Sequence, residues 1–410
     1  MGWQVKKLGD VCQFQNGFAF KSSLFSDTGV PILRISNIQD GVIDLKRIVY
    51  TDPASYSENL DKYLVRDGEL LIAMSGATTG KIGINQTGLV FFLNQRVGKF
   101  IPSEKLNQQY LYYYLFTKVE EHLEKSAGSA QPNLSTEQIK GLELPVPPIQ
   151  EQKRIVAILD EVFADIEQAR AKTEQNLKNA RELFESYLQQ VFSQRDIKSV
   201  EFGDIMETLT DYHANGSYKV LKENVELKEE EDFAWMVRST DFEKKFKNNK
   251  RYITEHAYNY LTKSKLFGGE IIMSKIGNAG KVYFMPHTSK PCSLAMNLFL
   301  IRLDPKKADN EYVYRYLNST SGKAQIAPRL NGAATLTITK ENVRTLLIPL
   351  PTLSVQQESI QALSVLERKV ETLENIYQEK IIKIELLKQS VLQKAFSGEL
   401  TLGASKEEVA

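Results

Sequence analysis

The chain has 410 residues and a mass of 46.6 kDa, more than one typical hydrophobic core organises and enough for two or three domains. Apolar residues make up 42% and charged residues 25%, which excludes a disordered chain, and Lys+Arg 52 against Asp+Glu 51 excludes a polyanion binder that works by bulk charge. Two cysteines, Cys12 and Cys292, exclude a disulfide framework and a four-cysteine zinc site. The longest apolar runs, such as 89–93, fall far short of the roughly 20 residues that span a bilayer. With no apolar leader at the N-terminus, the expected location is cytoplasmic.

In chain order, residues 1–148 mix short β-like runs (31–35, 69–72) with Gly, Asn and Pro punctuation, and a helical stretch follows near 108–123. This predicts an α+β globular domain. Residues 149–194 hold neither Pro nor Gly and predict one long helix. Residues 198–352 return to the mixed pattern, with a strand-like run at 298–301 and a helical stretch near 311–319, and predict a second α+β domain. Residues 353–397 again lack Pro and Gly and predict a second long helix, with a tail over 398–410.

This order is a tandem duplication. Leu8-Gly9-Asp10-Val11 recurs as Phe202-Gly203-Asp204-Ile205, and Gly68-Glu69-Leu70-Leu71-Ile72 as Gly269-Glu270-Ile271-Ile272-Met273. Met74-Ser75 with Gly80-Lys81 recurs as Met273-Ser274 with Gly280-Lys281, and Asn94 with Pro102 matches Asn297 with Pro305. Leu144-Pro145-Val146-Pro147 matches Ile348-Pro349-Leu350-Pro351. The helix end Ser186–Ser193 matches Ser390–Ser397 at an offset of 204 residues. Chance does not hold one offset near 200 over six separate blocks.

The two long helices carry one seam. Leu159, Val162, Ile166, Ala169, Thr173, Asn176, Ala180, Leu183 and Tyr187 alternate steps of three and four. So do Leu363, Leu366, Val370, Leu373, Tyr377, Lys380, Ile384, Leu387 and Val391. An average step of 3.5 keeps one stripe facing a partner helix, as a coiled coil requires. A helix of about 43 residues is roughly 64 Å long, a rod that no single domain needs. Seams alone fix no orientation. Two equal halves pairing about an internal two-fold axis predict an antiparallel pair with one globular domain at each end.

No catalytic constellation emerges. A glycine-rich methyl-donor turn and an Asn/Asp-Pro-Pro-aromatic loop are both missing; Asp52-Pro53-Ala54 is the nearest approach. Gly76-Ala77-Thr78-Thr79-Gly80-Lys81-Ile82 has one residue too few for a P-loop and Ile82 where Ser or Thr would bind magnesium, so it reads as a hairpin turn. Asp40 with Asp44 and Lys46 fits only a loose nuclease pattern that the second half does not repeat. His122, His213, His256 and His287 are scattered without ligand spacing, so no metal site is expected.

What the loops do carry is Lys, Arg, Asn, Gln, Ser and Thr, the side chains that contact phosphates and read base edges. In the first domain the candidates for DNA contact are Asn16, Lys21, Arg34, Ser36, Asn37, Thr78, Thr79, Lys81, Asn94, Gln95 and Gln131. In the second they are Arg238, Ser239, Thr240, Lys244, Lys245, Lys247, Lys275, Asn278, Lys281, Asn297, Arg329 and Asn331. Residues 198–350 hold 23 basic and 18 acidic side chains against 15 of each in 1–150, so the second domain is the stronger phosphate binder. Arg34/Arg238, Lys81/Lys281 and Asn94/Asn297 are read as repeated positions with a shared role.

The block order resembles the specificity subunits of type I restriction–modification systems over nearly the whole length. It comprises a Gly-Asp start, Gly17-Phe18-Ala19-Phe20-Lys21-Ser22, Leu33-Arg34-Ile35-Ser36-Asn37-Ile38, Asp67-Gly68-Glu69-Leu70-Leu71, Leu144-Pro145-Val146-Pro147-Pro148 with Glu151-Gln152, and a helix ending Ser390–Leu400. The second half has Arg238-Ser239-Thr240-Asp241 in place of Arg-Ile-Ser-Asn and no Phe-Ala-Phe-Lys run after Gly216. The resemblance implies two target-recognition domains, each reading one half of a split, asymmetric site in double-stranded DNA, and an antiparallel helical spacer between them. It implies two adenine methyltransferase subunits docked on this scaffold and a translocase–nuclease subunit joining for cleavage. It implies a chain that is not itself an enzyme and binds no cofactor, S-adenosylmethionine, ATP and Mg belonging to the partners. The alternatives are the specificity subunit of a fused restriction–methylation enzyme, a self-contained nuclease at Asp40/Asp44/Lys46, and a scaffold that does not read DNA.

Overall fold

The computed structural model describes residues 3–39, 41–125, 133–193 and 197–402. Two helices dominate: α1, Ile149–Phe192, of 44 residues, and α2, Leu353–Ser397, of 45. The chain divides into two compact units, Met1–Glu174 with Glu379–Ala410, and Gln175–Gln378. Each unit therefore takes one globular domain and part of each long helix.

In the first unit two four-stranded sheets form the domain. One runs in the order Cys12–Asn16, Val97–Pro102, Leu70–Ala73, Ile82–Ile84, all antiparallel. The other runs Val49–Thr51, Val30–Leu33, Phe91–Leu93, Leu64–Val65, with its central pair parallel. Leu70, Leu71, Ile72 and Ala73 are all fully buried because alternate residues feed two cores. Leu70 and Ile72 pack with Phe100 and Tyr110, while Leu71 and Ala73 pack with Leu33 and Phe91. The second unit repeats the plan. Met206–Asp211, Leu298–Leu303, Ile271–Ser274 and Val282–Phe284 form one sheet, and Tyr252–Ile253, Ala234–Val237, Cys292–Leu294 and Lys265–Leu266 the other. Gly76 and Gly80, at φ 82° and 85°, turn the chain between Leu70–Ala73 and Ile82–Ile84, so the glycine-rich segment is a hairpin connection.

One residue ties each domain to its helix. Gln152, in the first turn of α1, is 0% exposed. Its amide donates to the Lys105 and Pro147 carbonyls, both at 2.8 Å, and its oxygen accepts the Asn107 N–H at 2.7 Å. Gln356 does the same at the head of α2, donating to Lys307 (3.2 Å) and Pro351 (2.9 Å) and accepting from Asp309 (2.8 Å). The side-chain amide is the hydrogen-bond partner of these backbone groups among the described residues.

Within each unit the helices run antiparallel. In the first, Ile155 and Leu159 share a core with Leu392 and Ala395. Glu167 faces Lys388 at 3.5 Å and Arg170 faces Glu385 at 3.8 Å, so three residues forward on α1 is three back on α2. In the second, Arg181 meets Glu374 at 2.6 Å, and further along α1 Leu188, Val191 and Phe192 share a core with Leu363, further back on α2.

The seam differs from its sequence reading in one phase. Leu159, Ile166, Leu363, Val370 and Ile384 are buried and Val162 and Leu366 half-buried, but Leu183, Leu373 and Leu387 are 56%, 37% and 51% exposed. Half-buried Phe184, Glu374, Ile381 and Lys388 take the alternate places. Steps of three-four and four-three share every seventh residue and differ only in the position between. There the partner helix, not the apolar character of the leucines, decides. Glu374 and Lys388 reach across to Arg181 and Glu167 from these edge positions.

Replacing Gln152 or Gln356 by Ala takes the side-chain partner from three backbone groups and leaves a hole at a fully buried position. We expect each change to cost about 2–4 kcal/mol, read as a lowered urea midpoint. Glu151→Ala one position earlier should stay within about 0.5 kcal/mol.

Candidate nucleic-acid interface

Both domains build the same anchored turn after their parallel strand. In the first, buried Asn37 accepts the Arg34 N–H at 3.1 Å and donates to the Asp44 carbonyl at 2.9 Å, and the Arg34 guanidinium donates to the Arg47 carbonyl at 2.7 Å. In the second, buried Asp241 accepts the Arg238 N–H at 2.7 Å and its guanidinium at 2.8 and 3.2 Å, and that guanidinium donates to the Asn249 carbonyl at 2.7 Å. Arg34 and Arg238 thus hold the loops that follow them. Five residues on, Gln39 accepts from Lys81 at 3.0 Å, and Glu243 accepts from Lys281 at 3.1 Å and Asn278 at 3.0 Å.

The matching turns differ in charge. Burial pushes the Asp241 carboxyl up, but Arg238, its backbone N–H and Asn248 outweigh that and hold it below the usual aspartate range. Glu243 is likewise held low by Lys281, then Tyr283. The loop that follows Glu243 is basic. Lys244, Lys245 and Lys247 are exposed with no carboxylate partner among the described residues, and Lys245 and Phe246 sit at φ 49° and 57°. Lys250 lies 4.5 Å over the Trp235 ring, and with Arg238, Thr240, Lys244 and Lys247 it lines an open cleft of about 810 Å³. Such a cleft suits phosphate oxygens.

A second polar pocket, of about 650 Å³, opens in the first domain beside Asn16, Ser75, Gln95, Arg96, Asn133 and Thr136. Asn16 and Thr136 exchange hydrogen bonds at 3.0 and 3.2 Å, and the buried Ser75 hydroxyl has no partner among the described residues. Residues 16 and 95 were singled out in the sequence. Thr136 and Asn133 were not, because they follow the helix rather than the motif-rich loops.

The remaining candidates are spread out. Lys21 and Ser36 are exposed, Ser239 and Thr240 open a short helix, Thr78 bonds the Ile35 carbonyl of the anchored turn, and Thr79 bonds the Gly76 carbonyl within the hairpin. Lys275 pairs with Asp211. Arg329 donates to the Gln325 and Thr345 carbonyls, and Asn331 bridges Thr337. Gln131 and Asp40 lie outside the described residues. Asn94 and Asn297 do not correspond: Asn94 bonds Leu33 as Ala295 bonds Val237, and Asn297, at φ 66°, takes the place of Arg96. The asparagines matched by type, whereas the strand ladders set the true register.

Asp44 is spent capping the Lys46 N–H at 2.9 Å. Burial pushes the Cys12 thiol up to about 12 and also raises Cys292, which disfavours the thiolate at both. Among the described residues no group of three His, Cys, Asp or Glu is placed to hold a metal, and no helix is long and apolar enough to cross a membrane.

A duplicated chain with a polar, loop-built face in each domain is arranged as a recognition protein. The sequence profile of the type I restriction modification DNA specificity domain matches residues 1–177 and again 190–381, and the chain belongs to that family. It is 23% identical over 423 residues to the EcoBI specificity subunit of Escherichia coli, covering 97% of this chain and 86% of that one. Over 180 residues it is 32% identical to the MjaVIII specificity subunit of Methanocaldococcus jannaschii, 42% of each chain. The HsdS subunit of Thermoanaerobacter tengcongensis shares the fold at a TM-score of 0.59, with 18% identity and 97% of each chain covered. A chain of a type I R-M system solved for its assembly and conformational transition does so at 0.73, with 17% identity over 97% of this chain and 98% of that one.

The anchored turns carry a pH signature. Asp241 has a folded pKa below its unfolded value, so its contribution is whole above about pH 4 and is lost as pH falls through and below that. Asp241→Asn copies the neutral Asn37. Its urea midpoint should lie below the parent's at neutral pH and converge on it in acid; parallel curves would refute the assignment.

Proposed function

We propose that this chain reads a split, asymmetric site in double-stranded DNA, each globular domain reading one half, with the paired long helices setting the gap. Two adenine methyltransferase subunits dock on it, and a translocase–nuclease subunit joins for cleavage. S-adenosylmethionine, ATP and Mg²⁺ belong to those partners. The observation that carries this reading is one anchored turn, built twice, with different chemistry around it: amides in the first domain, carboxylates and lysines in the second. A duplicated scaffold with divergent polar faces suits reading two unlike half-sites.

The physics agrees on how labour divides. Lys244, Lys245 and Lys247 supply sequence-independent attraction, since each neutralised phosphate releases counterions. Asn16, Gln95, Lys275 and the hairpin residues Thr78 and Asn278 are the candidates for base edges. A net charge of +1 suits a subunit whose partners share the phosphate contacts. Exposed Leu183 and Val365, which flank an apolar groove in the second unit, and exposed Leu386 and Leu387 in the first, are the surfaces offered to the methyltransferase subunits.

The test is exchange of residues 3–148 for the corresponding domain of another family member, followed by methylation-sensitive sequencing of DNA from cells carrying the partners. One half-site should change and the other persist. Loss of both, or change in neither, contradicts independent reading.

A further inference from the structure

Register shows that the two domains share one subsite beyond the anchored turn. Asn16 ends its strand opposite Gly98, as Asp211 ends its strand opposite Phe299. Met74 bonds Arg96 and Leu134 through its backbone at 2.9 and 2.8 Å, as Lys275 bonds Asn297 and Ile338 at 2.8 and 3.1 Å. Thr136 and Lys340 are the first residues of short helices capped by Ser135 and Thr339. Asn16/Asp211, Met74/Lys275 and Thr136/Lys340 therefore occupy the same three places.

Their chemistry is opposite. The first set is neutral, an amide and a hydroxyl bonded to each other at the edge of a polar pocket. In the second, Lys275 at 3.2 Å and Lys340 at 3.6 Å share one carboxylate oxygen of Asp211. The other Asp211 oxygen caps the Ala214 N–H at 3.1 Å, so the carboxylate is fixed from behind. The side chain of Asp211 is 11% exposed, those of Lys275 and Lys340 30% and 35%. Two ammonium groups thus reach solvent from a rigid base with one surplus positive charge. Lys275 also lies 5.6 Å over the Phe299 ring.

Phosphate attraction is served by exposed lysines without a carboxylate partner among the described residues, as on the 244–247 loop. A carboxylate that cancels half the charge removes attraction and keeps direction, which is what reading a base edge needs. Fixed donors in the major groove suit the paired acceptors of guanine, and amides suit adenine.

Resting on the proposed reading of DNA by each domain, we infer that this subsite discriminates bases in both halves: Lys275 and Lys340, positioned by Asp211, read a guanine acceptor edge in the second half-site, and the neutral set of Asn16 and Thr136 reads a non-guanine pair in the first.

The test transplants one set onto the other place. The triple variant Asp211→Asn, Lys275→Met, Lys340→Thr gives the second domain residues that the first already accommodates. The reciprocal variant is Asn16→Asp, Met74→Lys, Thr136→Lys. Each is produced in the full chain with its methyltransferase partners, and methylated sites are read genome-wide beside the parent. The first variant should lose a guanine at one position of the second half-site by about tenfold or more, with the first half-site unchanged as internal proof of folding. The reciprocal variant should gain guanine at one position of the first. An unchanged second half-site overturns the inference. So does uniform weakening over all sequences with a shallower salt dependence, the mark of phosphate contact. If one variant does not fold, the other decides alone. If the parent complex methylates no specific sequence, the underlying reading of DNA fails, and the inference with it.

Discussion

Everything in this molecule hangs on a glutamine buried where a long helix begins. Gln152 and Gln356, both fully buried, each satisfy three backbone groups, two from the segment before the domain's own helix and one from the proline turn. That closes the domain onto the helix at a fixed angle. The far end of the other helix then completes the same core: Phe396 packs against Tyr110 and Tyr114, as Phe192 packs against Tyr312 and Tyr316. A domain thus needs the start of one helix and the end of the other, and only an antiparallel pair supplies both.

The two units meet this demand with different side chains. In the first, the Tyr113 hydroxyl bonds Asp160 at 2.5 Å and its ring packs edge-on to Phe163. In the second, Arg315 takes the Tyr113 place and bonds Ser364, at 3.1 Å, and Glu367, at 2.9 Å, on α2. Exchanging helices would set the Arg315 guanidinium against Phe163 in place of Glu367, leaving it Glu311 on its own helix, at 2.8 Å, and would set the Tyr113 phenol against Glu367. The duplication has therefore diverged at its supports as well as at its polar faces.

Much of this was legible in the sequence. Pro- and Gly-free stretches at a fixed offset gave two helices, and the Pro-Pro run before Glu151-Gln152 marked the lock without revealing it. The heptad positions Leu159, Ile166, Leu363 and Val370 are buried, because a seven-residue step survives either phase. Leu183, Leu373 and Leu387 misled because hydrophobicity names a candidate for the seam, whereas the neighbouring helix chooses. At the polar faces, residue type was a poor guide to role: Arg34, Arg238 and Arg329 bond backbone carbonyls of their own loops. Asp211, Lys340 and Thr136 were invisible because they gain meaning only when strand register superimposes the halves. Matching Asn94 to Asn297 by letter placed that register two residues off.

Disulfide trapping across the helices tests the central arrangement most directly. With buried Cys12 and Cys292 left in place, a chain carrying Glu167→Cys and Lys388→Cys should close a cross-link under mild oxidation, seen as a shift on a non-reducing gel. A chain carrying Glu167→Cys and Glu371→Cys, the pair that a parallel alignment of the repeats would bring together, should not. The opposite outcome, cross-linking at 371 and none at 388, would contradict an antiparallel pair and with it the support of both reading faces.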